Sequence, residues 1–289
     1  MSYNATIEEE NKEIAHRYKD LLKGTYQTLS DNDKKLIRKA FDIAVEAHSE
    51  QRRKTGEPYI YHPIAVAKIV AYEIGLGATS IAAALLHDVV EDTHYTIDDM
   101  ERLFGENIAR IVSGLTKISN LKKEQDYSIQ AENFRKMLLT LHDDVRVILI
   151  KIADRLHNMQ TMDAMPAHKQ VKIASETLYI YAPLAHRLGL YNIKTELEDL
   201  GLKYTEPEVY KDILTKIKDS KEEQQKYIDS FTGILKEALD KEGFKYDIKG
   251  RFKSIFSIRR KMRKQNVTFD EVYDKFAIRI IYDPTSDDE

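Results

Sequence analysis

The chain has 289 residues with 45 basic and 48 acidic side chains, and its net charge of −3 predicts no general attraction to nucleic acid. The absence of cysteine excludes thiolate catalysis, disulfides and zinc–sulfur sites, and restricts metal ligands to His, Asp and Glu. No apolar run approaches the roughly 20 residues of a membrane span, and the acidic N-terminus is unlike a signal peptide. We therefore expect a cytoplasmic protein without membrane attachment, built from helices joined by short connections.

The first part of the chain is predicted to be helical. Apolar residues at helical spacing indicate one helix over residues 5–23, ended by Gly24, and a second helix that Ser30 caps. Residues 51–59 carry three consecutive cations followed by Gly and Pro, which predicts a loop. Pro63 suits the first position of the next helix, so we expect its predecessor His62 to be the N-cap.

A central stretch combines an apolar helix with charged residues. Residues 81–86 are apolar on every side, which predicts a buried helix. If the helix continues, the inner pair His87 and Asp88 lies one turn before the outer pair Glu91 and Asp92. The inner pair is suited to holding a metal ion, and the outer pair would face whatever binds that ion. The alternative is a frayed acidic helix end, which the helix dipole disfavours.

Most of the following elements are also predicted to be helical. Thr96 and Asp99 form a capping box that begins a short helix. Residues 119–127 are polar and are predicted to form a mobile loop. Further helices are predicted over residues 106–118, 128–142, 144–162, 167–188, 190–204 and 207–242.

The helix over residues 144–162 begins apolar and becomes polar late in its course. It presents Asp154, and Asn158 and Thr161 follow on the same face at intervals of about one turn. His157 also lies one turn after Asp154, where it could support a metal ligand or pack in the core, and we interpret it as a core residue.

The character of the sequence changes near Gly243. Residues 244–249 and 276–282 alternate like strands, and a basic helix is predicted between them over about 254–264. Two strands and one helix cannot close a hydrophobic core. We therefore expect either the truncated start of a further domain or a tail packed on the helical part.

Four side chains from separate parts of the chain form a candidate metal site. His62, His87, Asp88 and Asp154 follow the H…HD…D pattern of the HD superfamily. Two imidazoles and two carboxylates leave a six-coordinate ion room for water and a phosphate oxygen. This mixed nitrogen and oxygen set suits Mn²⁺, although Fe²⁺, Co²⁺ and Zn²⁺ would also fit.

The sequence resembles the hydrolase half of the bifunctional Rel/Spo-homologue alarmone enzymes over nearly all of residues 30–282. The resemblance rests on the runs RKTGEPYIYHP (53–63), LHDVVEDT (86–93), KIADRLHNM (151–159) and YAPLAHRLG (181–189). It implies a mainly α fold, an HD-domain helical bundle followed by a helical connector and a small partial α/β segment. The implied domains are a hydrolase domain over 1–195, a connector over 196–242 and the start of a synthetase domain over 243–289.

The resemblance also implies an activity and roles for particular residues. The activity is manganese-dependent hydrolysis of the 3′-pyrophosphate of ppGpp or pppGpp, which gives GDP or GTP and pyrophosphate and ends the stringent response. The family's metal ligands correspond to the four residues named above, and its catalytic acidic pair corresponds to Glu91 and Asp92. The implied substrate-binding residues are Arg53, Lys54 and Thr55 around the guanine, with Asn158 and Thr161 near the ribose and base.

A second set of residues resembles the family's synthetase domain. Arg251 and Lys253 would contact ATP, and Asp274 would hold Mg²⁺. The family pattern also needs a second acidic residue and a guanine-stacking tyrosine, which would lie beyond residue 289. We therefore expect no pyrophosphate-transfer activity from these residues. Full-length family members associate with ribosomes through a C-terminal region that is not among these residues, and no direct contact with nucleic acid is expected here.

Two other hypotheses remain open at this point. An HD phosphohydrolase could act on another nucleotide, which would be favoured if GTP or deoxynucleoside triphosphates were turned over faster than ppGpp. A regulatory module could hold a metal in an inactive site, but the presence of both Glu91 and Asp92 argues against it. Which of these two carboxylates would act as the base is left undecided.

Overall fold

The computed structural model of the chain describes residues 3–25, 28–121, 144–243 and 245–282. The chain divides into two compact units, Met1–Leu197 and Glu198–Glu289. No helix among the described residues combines the length and apolar character needed to cross a bilayer. The mainly helical fold class is confirmed, while the division into hydrolase domain, connector and third segment stays a prediction.

The helices of the first unit are joined by short connections. In chain order they are α1 (Tyr3–Lys23), α2 (Asp31–Ala47), α3 (Tyr61–Ile69), α4 (Ala78–Leu85), α5 (Val89–Asp92), α6 (Ile97–Phe104), α7 (Glu106–Leu121), α8 (Val145–Gln160), α9 (Ala167–Glu176), α10 (Ala182–Arg187) and the first half of α11 (Tyr191–Thr205). Single π-helical turns follow α3 at Val70–Ile74 and α9 at Thr177–Tyr181.

The predicted helix starts at Ser30 and Thr96 are confirmed. Each of these N-cap side chains accepts a hydrogen bond from the backbone of the residue three positions later, Asp33 or Asp99, and that aspartate bonds back to the cap. These capping boxes satisfy backbone N–H groups that lack partners within the helix. They depend on local sequence alone, which is why they could be predicted.

The predicted start of α3 and the predicted loop at 119–127 are partly wrong. The N-cap of α3 is Ile60 and His62 lies inside the first turn, because first-turn N–H groups have no intrahelical partner and Pro63 fits there equally well. α7 continues to Leu121 instead of ending at 118. The rest of the predicted loop and the helix predicted over 128–142 lie outside the described residues.

α4 lies at the centre of the first unit. All residues from Ile81 to Leu86 are fully buried, as predicted, and α4 packs against α2, α3, α7 and α8. Burying a leucine or isoleucine side chain stabilises a fold by roughly 1.5–3 kcal/mol. The elements that carry the candidate metal ligands are therefore held against a rigid apolar helix.

Gly114 allows α7 to approach α8 closely. A Cβ atom at Gly114 would lie 2.8 Å from Cγ2 of Val147, which is shorter than van der Waals contact allows. Because α8 carries Asp154, this close approach helps to set the position of a candidate ligand.

The second unit has a small core of its own. It contains the second half of α11, α12 (Pro207–Glu242), β1 (Tyr246–Phe252), α13 (Ile255–Gln265) and β2 (Phe276–Tyr282). The two strands pair antiparallel, with Tyr246 opposite Tyr282 and Phe252 opposite Phe276. The buried core residues come from α11, α12, α13 and the segment after α13; they are Leu202, Ile213, Ile255, Ile258 and Phe269. β1 extends three residues beyond the predicted strand end at 249.

We expect Gly114→Ala to lower the local unfolding free energy of α7 and α8 by about 1 kcal/mol, because overpacking costs about 1–3 kcal/mol and improved helix propensity returns about 1 kcal/mol. Amide hydrogen exchange of the two helices measures this change. Gly233→Ala in α12 is the matched control, since a Cβ atom there meets nothing within 4 Å and should stabilise its helix. Stabilisation of α7 by Gly114→Ala would contradict the proposed close contact.

Candidate metal centre

The helix that precedes the His-Asp doublet does not continue through it, which corrects the prediction of a continuous helix. α4 ends at Leu85, residues 86–88 form a turn, and the single turn α5 carries Glu91 and Asp92. The physical cause is the His87 ring, whose Nδ1 lies 2.8 Å from the carbonyl oxygen of Ala84. In an unbroken helix the N–H of Asp88 would bond to that carbonyl.

This contact also prepares the other ring nitrogen of His87 for a ligand. When the N–H at Nδ1 donates a hydrogen bond to the Ala84 carbonyl, the lone pair of Nε2 is free to coordinate a metal. Nε2 is buried and has no hydrogen-bond partner among the described residues, although it lies 3.0 Å from Oδ2 of Asp88. Burial lowers the pKa of His87, but the carboxylate of Asp88 outweighs burial and raises it above the ordinary value. A proton on Nε2 occupies the position that a metal cation would take.

His62 is held by a second histidine. Its Nδ1 lies 2.7 Å from Nδ1 of His157, and its Nε2 lies 3.2 Å from Oδ1 of Asp154. Burial lowers the pKa of His62, so its imidazole is neutral, and burial followed by His62 itself lowers the pKa of His157 to about 3. If a metal binds Nε2 of His62, the proton of the neutral ring is on Nδ1. The neutral His157 ring can then accept a hydrogen bond from that N–H. The interpretation of His157 as a packed core residue is therefore wrong.

Asp154 is fixed from both sides. Its Oδ1 accepts a hydrogen bond from Nδ2 of Asn158 at 2.6 Å, and its Oδ2 lies 2.7 Å from Nζ of Lys151. Burial raises the pKa of Asp154, but Lys151 and the two nearby histidines lower it well below its ordinary value, so the carboxylate is charged. The charged form is the one that binds a metal cation.

Tyr59 connects the inner and outer carboxylates. Its hydroxyl donates to Oδ2 of Asp88 at 2.7 Å and also lies 3.3 Å from Oδ2 of Asp92. Burial raises the pKa of Tyr59, and Asp88 raises it further, so the hydroxyl remains a donor. Asp88 lies 3.7 Å from Nε2 of His62, which places it beside both histidines.

The donor atoms fit a divalent ion. Ligand atoms of His62, His87 and Asp154 all lie within 4.8 Å of one another and are buried. Oδ1 of Asp154 lies 3.2 Å from Nε2 of His62 and 3.9 Å from Nε2 of His87. Two ligands at about 2.1 Å from one ion lie about 3.0 Å apart at a right angle and about 3.4 Å apart at a tetrahedral angle. Together with the unpartnered Nε2 of His87, these distances indicate a metal site, and Asp88 adjoins it.

A cavity of about 560 Å³ opens onto this cluster. Arg53 on the cavity wall donates to Oδ1 of Asn158 at 3.3 Å and to Oγ1 of Thr161 at 3.1 Å. The cavity is lined by all the residues predicted to bind substrate and by both predicted catalytic carboxylates, namely Arg53, Lys54, Thr55, Asn158, Thr161, Glu91 and Asp92. The structure thus brings these predicted residues together with the metal cluster; their roles stay predictions.

The loop that carries the cations is a tight turn. The N–H of Arg53 bonds to the carbonyl of Glu57, and Gly56 takes a left-handed conformation with φ of 88°. Glycine adopts this conformation at little cost, which explains the glycine in this loop. The three consecutive cations of the loop, Arg52, Arg53 and Lys54, all line the cavity.

The residues that resemble a synthetase site lie in the second unit. Lys253 and Lys261 both contact Oδ2 of Asp274. The hydrogen bond from Lys253, followed by that from Lys261, lowers the pKa of Asp274 to about 2. This aspartate is paired with two lysines here, and the side chain of Arg251 is outside the described part of the structure.

Two functional candidates were not identified from the sequence, and a third was identified but assigned to the core. Tyr59 contacts Asp88, Lys151 contacts Asp154, and His157 contacts His62. Lys151 carried a local signal, since it lies three residues before Asp154 and therefore on the same helix face. The contacts of Tyr59 and His157 join residues that are distant in sequence and needed the three-dimensional structure.

The helical fold and the buried histidine and carboxylate cluster define a helical protein with a candidate metal centre. The HD domain family matches residues 40–191, which is more than half of the 289 residues. The chain belongs to the HD domain family.

Curated relatives match across most of the chain. A GTP pyrophosphokinase of Myxococcus xanthus is 44% identical over 87% of this chain and 33% of its own length. A probable guanosine-3′,5′-bis(diphosphate) 3′-pyrophosphohydrolase of Synechocystis is 45% identical over 85% of this chain and 32% of its own. The bifunctional (p)ppGpp synthase/hydrolase SpoT of Escherichia coli K12 is 44% identical over 88% of this chain and 36% of its own. The chain therefore spans about a third of the length of these relatives.

We expect His157→Leu to weaken Mn²⁺ binding by about 10–100-fold, because loss of the acceptor frees the His62 ring to rotate and to change tautomer. Isothermal titration calorimetry with Mn²⁺ measures the change. His168→Leu replaces an exposed histidine outside the cavity and should bind Mn²⁺ as the unsubstituted chain does. Equal affinity for His157→Leu would show that His157 does not position His62.

Proposed function

We propose that the chain hydrolyses the 3′-pyrophosphate of ppGpp and pppGpp to GDP or GTP and pyrophosphate, with Mn²⁺ bound at the cluster. The observation that carries this proposal is the buried set of His62, His87 and Asp154 at a cavity that also holds cationic and acidic side chains. Hydrolysis of a polyphosphate needs a metal ion and cationic side chains to offset the phosphate charge, and an acidic side chain to accept a proton from water. Relatives named as guanosine-3′,5′-bis(diphosphate) 3′-pyrophosphohydrolases support the choice of substrate.

The metal would be held by Nε2 of both histidines and by Asp154, with Asp88 beside them. When bound, a divalent ion offsets phosphoryl charge and lowers the pKa of a coordinated water. The nitrogen and carboxylate donors suit Mn²⁺, and the absence of cysteine from the whole sequence removes the thiolates that favour zinc and copper(I).

The outer carboxylates supply a candidate base. Water attacks the phosphorus bonded to the 3′-oxygen, that bond breaks, and the nucleoside oxygen takes up a proton as pyrophosphate leaves. Glu91 or Asp92 accepts the proton of the water, since both line the cavity beside the cluster. Burial, followed by the charges of Asp88 and Glu91, raises the pKa of Asp92, which makes its carboxylate a stronger base.

Arg53 is the strongest candidate for contact with the nucleotide. Its Nη1 is buried and has no hydrogen-bond partner among the described residues, while its Nη2 bonds Asn158 and Thr161. An unsatisfied buried donor is costly, and a guanine or phosphate oxygen would satisfy it. The planar guanidinium can also stack on a base, and the exposed ammonium of Lys54 offers a charge for phosphate.

The proposal assigns hydrolysis to the first unit alone. All residues invoked lie within Met1–Leu197. No pyrophosphate transfer is proposed for the second unit, where Asp274 is paired with two lysines. A cytoplasmic location and the small-molecule partner ppGpp or pppGpp complete the proposal.

The direct test is incubation with ppGpp and Mn²⁺ while pyrophosphate release is followed. We expect release that stops when a chelator removes the metal and that exceeds the turnover of GTP or deoxynucleoside triphosphates. Faster turnover of those nucleotides would favour a different HD phosphohydrolase and contradict the proposed substrate.

The double variant Glu91→Gln with Asp92→Asn should reduce turnover by about 10²–10⁴-fold, the usual contribution of a general base, while bound Mn²⁺ persists. Asp98→Asn is the matched control, because this exposed carboxylate is absent from the cavity lining. Turnover that survives in the double variant would remove these carboxylates from the mechanism.

A further inference from the structure

Lys151 is a buried cation that the proposed hydrolysis does not use. Its side chain is 7% exposed, and its Nζ lies 2.7 Å from Oδ2 of Asp154 and 3.0 Å from Oγ of Ser119. A buried lysine is costly unless it is paired, and here its partner is a candidate metal ligand.

The two oxygens of Asp154 face different groups. Oδ1 lies 3.2 Å from Nε2 of His62 and 3.9 Å from Nε2 of His87, so it faces the proposed ion position. Oδ2 is the oxygen that contacts Lys151. A charge-assisted hydrogen bond of this length is among the stronger polar contacts in proteins, and it holds Oδ2 in place.

This division determines how many coordination positions Asp154 can occupy. A carboxylate can bind a cation through one oxygen or through both, and the second mode takes up an additional position. A catalytic metal site keeps a position for water or substrate. We propose that Lys151 is a positioning residue that restricts Asp154 to binding through Oδ1 alone and so keeps one metal position open for water.

Ser119 secures this arrangement from a second helix. It lies on α7, and its hydroxyl accepts a hydrogen bond from Nζ of Lys151, which lies on α8. The ammonium is therefore tied to both helices and cannot follow Oδ2 toward the ion. α7 and α8 meet closely at Gly114, which keeps the two anchors at a fixed separation.

The inference rests on the proposed metal site, and it can be tested with Mn²⁺ alone. In Lys151→Met the ammonium is lost while most of the side-chain volume remains, so Asp154 is free to bind through both oxygens. We expect one fewer exchangeable water on the bound Mn²⁺, measured by water-proton relaxation. We also expect Mn²⁺ affinity to be kept or increased, while kcat falls by about 10–100-fold.

A purely structural role for Lys151 gives a different result. Loss of packing or of charge balance would weaken Mn²⁺ binding and leave the number of bound waters unchanged, and that outcome overturns the proposal. Lys117→Met is the matched control, because it removes an exposed ammonium from α7 at a position that does not line the cavity. We expect it to keep the full number of waters.

A crystal structure of the unsubstituted chain with Mn²⁺ tests the same claim without depending on how the variant folds. We expect Asp154 to contact the ion through Oδ1 only, with Nζ of Lys151 still bonded to Oδ2. Both oxygens on the ion would overturn the inference. A chain that shows this geometry but releases no pyrophosphate from ppGpp would contradict the proposed function and leave the inference standing.

Discussion

Two carboxylates and two imidazoles share a buried pocket, and the need to balance their charges shapes the surrounding structure. Charged groups inside a protein are stable only with partners. Asp154 is matched by Lys151 and Asn158, and Asp88 by the hydroxyl of Tyr59. The Nε2 atom of His87 lies 3.0 Å from Oδ2 of Asp88 but makes no hydrogen bond among the described residues, and its lone pair could coordinate a divalent cation.

The rigid apolar helix α4 makes this balance possible. It packs against helices that carry other candidate ligands. It ends where the ring of His87, instead of a backbone N–H, bonds to the Ala84 carbonyl. The turn at residues 86–88 then sets the direction of the His-Asp doublet, and α5 places the acidic pair in the same cavity. Packing against α4 and the turn that follows it thereby position the candidate metal ligands and the candidate base.

Much of this arrangement could be predicted from the sequence, and the exceptions have a common cause. The capping residues Ser30 and Thr96 were predictable because their contacts are local. The break after Leu85 was not, because it depends on a ring–carbonyl contact that competes with helix continuation. The partnership of His62 and His157 joins α3 to α8, so no local pattern could reveal it.

The candidate metal ligands come from segments that are distant in sequence, and their convergence on one ion is the central claim. Anomalous diffraction at the manganese edge, from crystals grown with Mn²⁺, tests it most directly. We predict one strong peak within about 2.3 Å of Nε2 of His62, Nε2 of His87 and Oδ1 of Asp154. No peak at that point, or a peak bound by side chains other than these three and Asp88, would contradict the account.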